Sequence, residues 1–121
     1  MDPRAIVGAA VDTIAGGVPD DIRADYLACY DGDRFVESMR YVRRYPEELP
    51  ALAELLPRIT TPVTIINGRD DRVVPVANAE FLHARLPASR VAIVDAGHFI
   101  WEERPTEYAS IILDAITGQW P

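Results

Sequence analysis

The chain has 121 residues, 49% hydrophobic and 26% charged, which fits one core-forming domain at most and excludes compositional disorder. A net charge of −7 and a pI near 4.7 argue against nucleic acid or an anionic membrane as partner. Cys29 is the sole cysteine, no apolar run has the length of a bilayer span, and Met1-Asp-Pro-Arg4 lacks the pattern of a secretion signal. The expectation is a cytoplasmic protein without disulfides.

Residues 1 to 58 read as helical. Pro3 to Ala15 is Ala-rich and stopped by Gly16-Gly17. Asp20 to Tyr30 follows, with Ile22, Tyr26 and Leu27 on one side, and Asp31-Gly32-Asp33 reads as a turn. From Arg34, the spacing of Phe35, Met39 and Val42 predicts a helix that Pro46 ends. A fourth helix carries Leu49, Leu52, Leu56 and Ile59, with Pro50 in its first turn.

After Thr60-Thr61-Pro62 the period changes. Val63 to Asn67 is short, β-branched and bounded by Pro and Gly, as a buried strand is. Pro75 to Leu86 reads as a helix, Arg90 to Val94 as a second buried strand, and Pro105 onward as a last helix closed by Gly118. A helix between two buried strands implies a parallel pair, and in such sheets function gathers beyond the carboxyl ends of the strands.

Two strings lie there. In Gly68-Arg-Asp-Asp71-Arg-Val-Val-Pro75, Gly68 allows a tight exit from the strand, Pro75 starts the next helix, and Asp71 projects over the strand end. Such an Asp also serves simply to accept backbone N–H groups, and Asp70 is the second choice of carboxylate. In Gly97-His98-Phe-Ile-Trp-Glu-Glu103-Arg-Pro105, a histidine beyond a strand end is placed to act as a base if an acid fixes its tautomer. The plainer role is a histidine bonded to its own loop. Trp101 reads as a packing residue, and Glu103 as negative charge at the start of the last helix.

Together the two strings resemble the α/β-hydrolase family, in its branch with a helical cap. There an acid follows one strand in Gly-x-x-Asp-x-x-x-Pro, matched by Gly68, Asp71 and Pro75. A histidine follows the next in Gly-His-x-x-x-x-Glu-x-Pro, matched by Gly97, His98, Glu103 and Pro105. The resemblance implies an α/β fold of two parallel strands with helices, the C-terminal part of that architecture, in residues 59–121. Residues 1–58 become a cap-like helical segment. It also implies Asp71 as catalytic acid and His98 as general base, acting on an ester or related bond of a small molecule.

The family's nucleophile stands earlier in the chain on a Gly-x-Ser-x-Gly turn, which this sequence lacks. Ser38, Ser89 and Ser110 have no such glycines, and Cys29 reads as a buried inert thiol. Asp70-Asp71 as a Mg²⁺ site is disfavoured by Arg69 and Arg72, and His83, placed on a solvated helix, adds no zinc set to His98. No cofactor is implied. The first strand lacks a neighbour on its far side, which invites self-association or a second chain supplying the nucleophile half. The competing reading is a catalytically inactive interaction module.

Overall fold

The switch of period at Pro62 marks the passage from helices to sheet in the computed structural model, which describes residues 2–118. The chain divides into two compact units between Ala53 and Glu54.

In the first unit, α1 (Pro3–Val11) is capped by the Asp2 side chain, which accepts the Arg4 N–H. It ends earlier than Ala15. Thr13 turns its hydroxyl back onto Ala10 O at 2.6 Å, and the Asp12 carboxylate takes the Arg23 guanidinium of the next helix at 2.9 and 3.2 Å. Gly16 and Gly17 follow with φ of 85° and 70°, a reversal that a side chain would strain. Helix α2 (Asp20–Ala28) packs on α1, which buries Val7 and Val11.

The helix expected from Arg34 to Pro46 is broken. Helix α3 (Arg34–Ser38) stops where the Ser38 hydroxyl donates to Phe35 O at 2.8 Å, and a 3₁₀ stretch, Arg40–Arg44, intervenes. Pro46 does not end a helix. It is the second residue of α4 (Tyr45–Leu55), where its missing N–H has no partner to lose, and Pro50 sits deeper, inside that helix. Leu49 and Leu52, read as sharing a helical register with Leu56 and Ile59, are exposed. Cys29 is also exposed, at the end of α2, and not buried as expected.

The second unit is built on two parallel strands, β1 (Val63–Gly68) and β2 (Ser89–Val94), with Val63 opposite Ser89 and Gly68 opposite Val94. Helix α5 (Val76–His83) connects them and buries Ala79. It starts after Pro75 and ends three residues before Leu86, which is itself buried in the following turn. Beyond β2 come a short helix, α6 (Ile100–Glu103), and α7 (Pro105–Thr117), whose end is set by Gly118 at φ 69°. The core gathers Val94, Ala96 and Ile100, with Ile66, Tyr108 and Ile111 packed against them. Among the described residues no helix is long and apolar enough to cross a membrane.

Candidate active site

The loops that leave the two strands are joined by their backbones. Arg69 N–H donates to Val94 O at 2.8 Å, and Asp70 N–H to Ala96 O at 3.0 Å. The approach is so close that a Cβ on Gly68 would overlap Gly97 O and stand 2.5 Å from Ala96 O. Only glycine fits there, for reasons of space and not of dihedral angle.

This join brings Asp71 and His98 together. Asp71 Oδ1 accepts the N–H groups of Val73 and Val74, both at 2.8 Å, and Oδ2 meets His98 Nδ1 at 2.9 Å. The Asp71 side chain is 6% exposed and that of His98 34%. Burial works against the Asp71 charge, but the Val74 amide, His98 and the Val73 amide outweigh it and hold the carboxyl below its usual range. A charged Asp71 accepts a hydrogen bond from the Nδ1–H of His98, which leaves Nε2 as the basic nitrogen. Asp70 is exposed, and the Asp70-Asp71 pair does not converge on a cation site because both Asp71 oxygens are engaged.

Glu103 does something the sequence reading misses. It ends α6, and its carboxylate reaches back to accept Gly97 N–H with both oxygens at 3.2 Å, tying down the residue before His98. Asn67 is the second omission. It is 6% exposed, and its side-chain amide donates to Gly68 O at 3.0 Å and Val74 O at 3.1 Å. The sequence reading takes it as the last residue of the strand, and nothing there marks it as a brace. Trp101 is half-exposed, with ring contacts to His98, Phe99 and Tyr108. It borders, with Asp71, His98, Ile66, Val74 and Tyr108, an open cavity of about 370 Å³.

The serines stand elsewhere. Ser89 begins β2, whereas His98 lies past its other end, roughly 16 Å away at about 3.3 Å per strand residue. Its hydroxyl contacts Leu86 O at 2.9 Å and His83 Nδ1 at 2.8 Å. Ser38 lies in α3 and Ser110 in α7. Among the described residues no three of His, Cys, Asp and Glu gather into a metal-holding group.

The comparisons place this parallel pair, with its carboxylate–imidazole contact beyond the strand ends, in a known fold. The family model for the alpha/beta hydrolase fold matches residues 21–105, and the chain belongs to that family. It is 29% identical to the magnesium-chelatase 30 kDa subunit of Rhodobacter capsulatus over 95% of this chain and 40% of that one. It is 32% identical to the monoacylglycerol lipase ABHD6 of Mus musculus over 81% of this chain and 28% of that one. The structure of an esterase from Exiguobacterium antarcticum superposes on 96% of this chain and 43% of that one, with a TM-score of 0.79 at 18% identity, a likeness of fold. The chain thus spans well under half the length of these relatives.

Proposed function

We propose that Asp71 and His98 are the acid and general base of a hydrolytic triad that acts on a carbonyl ester or a related bond, with a nucleophile supplied from outside these 121 residues. The observation that carries this reading is the 2.9 Å contact between Asp71 Oδ2 and His98 Nδ1, with Oδ1 fixed by two amides. His98 Nε2 removes the nucleophile's hydroxyl proton as its oxygen bonds to the carbonyl carbon, then returns that proton to the leaving group as the carbon–oxygen bond breaks. Asp71 stays ionised and stabilises the imidazolium between those steps. The lipase and esterase names of the relatives support an ester as substrate class.

The test is complementation. A chain carrying the earlier part of an α/β-hydrolase, with its Gly-x-Ser-x-Gly turn, is mixed with this one and p-nitrophenyl butyrate hydrolysis is followed. A gain over either part alone, lost in His98→Ala, is expected; no gain counts against the reading.

A second reading, an inactive module that self-associates, draws on the far edge of β1. In the β1–β2 register, Val63 N–H donates to Ala88 O and Arg69 N–H to Val94 O, so the odd residues face β2 and Thr64 and Ile66 turn their backbone groups the other way. Sedimentation of the purified chain as a stable monomer would exclude it.

A further inference from the structure

The geometry points to Asn67 as the positioning residue for the acid: its buried side-chain amide clamps the loop that presents Asp71 to His98. Both acceptors of that amide, Gly68 O and Val74 O, are carbonyl oxygens, so only the NH₂ end can face them and the orientation of Asn67 is decided. The link is short. Asn67 holds the carbonyl of Val74, and the N–H of that same residue holds Asp71 Oδ1. One side chain at the last turn of β1 thereby fixes both ends of the segment from Gly68 to Val74. Asp71 Oδ2 is left a single direction, toward His98. Asn67 also borders the cavity beside His98, yet its amide protons are spent on the loop.

Two features separate this role from plain packing. Asn67 is a polar residue buried beside apolar neighbours, so the site carries a desolvation cost that an aliphatic side chain would avoid. The partners of its side-chain amide are the two residues that bound the acid's loop, Gly68 at the end of β1 and Val74 ahead of α5.

The inference deepens the hydrolase reading and rests on it only for the role of Asp71 in turnover. Its test therefore reads the pair and not activity. The full chain, labelled with ¹⁵N-histidine, is followed by NMR for the His98 Nδ1–H resonance, and by amide exchange at Val73 and Val74. Asn67→Leu keeps the branched shape of the side chain and removes both donors, while Asn67→Ser retains one O–H donor. The expected result is loss of the His98 Nδ1–H signal in Asn67→Leu, as in Asp71→Ala, partial retention in Asn67→Ser, and roughly tenfold faster exchange at Val73 and Val74. In an Asp71→Ala background, either Asn67 substitution should leave the His98 signal unchanged. A folded Asn67→Leu chain with the wild-type signal would overturn the proposal. So would failure of both variants to fold, since Asn67 would then support the whole unit and not the loop. Failed complementation with an intact Asn67 effect would overturn the triad reading and leave this one standing.

Discussion

Gly68 and Gly97 lie in contact across the ends of the two strands, so closely that a methyl group on Gly68 would overlap the Gly97 carbonyl oxygen. Neither side can yield easily, because Gly97 is held by Glu103 and Gly68 is held in β1. Gly68→Ala should therefore cost at least about 2 kcal/mol, read as a lower urea midpoint. An unchanged midpoint would mean that the loops can part freely.

Asp71→Asn tests the acid itself. Its carbonyl oxygen still accepts one or both Val73 and Val74 amides, but the charge that selects the Nδ1–H form of His98 is gone. The expected outcome is a mixture of His98 tautomers in the ¹⁵N spectrum, with a stability loss of about 1–2 kcal/mol. Retention of the single Nδ1–H form would show that something other than Asp71 sets it.

Acid should destabilise the second unit through this residue. The folded-state pKa of Asp71 lies below its unfolded value, so the unfolded chain binds its proton first. The contribution is present in full above the unfolded value of about 4 and is lost as pH falls through the lower folded value. Urea midpoints between pH 6 and pH 3 should fall less steeply in Asp71→Asn than in the unaltered chain. Parallel slopes would remove Asp71 from the acid response.

Glu103 offers a graded test. Glu103→Gln keeps an acceptor for Gly97 N–H, whereas Glu103→Ala leaves that part-buried donor without it. The Ala variant should lose about 1 kcal/mol and the Gln variant clearly less, with Gly97 amide exchange accelerating in the same order. Equal losses would mean that Glu103 acts through bulk, not through its oxygens.

The edge of β1 gives an alternation that exchange can read. Ile65 and Asn67 N–H groups face β2 and should exchange slowly, while Thr64 and Ile66 should exchange fast. Binding of a strand from another chain should slow Thr64 and Ile66 first. Slow exchange at all four in a dilute sample would show the edge already occupied.

The sheet and the meeting of Asp71 with His98 were legible because both rest on short-range signals. Pro62 and Gly68 bracket β1, and Pro75 and Gly97 fix where the loops end. The helical half was harder to read, since a side-chain bond at Ser38 decides where α3 stops and Pro46 serves equally to end or to begin a helix. The braces escaped for a different reason. Asn67 and Glu103 act on backbone atoms that periodicity does not describe, and each contact exists only after the loops have come together.

The bonds from Arg69 to Val94 and from Asp70 to Ala96, with those of Asn67 and Glu103, all begin and end within one stretch of chain. The geometry of the pair is thus inherited as a block. A segment cut ahead of Pro62 should carry Asp71, His98, Asn67 and Glu103 into a new setting with their mutual contacts intact.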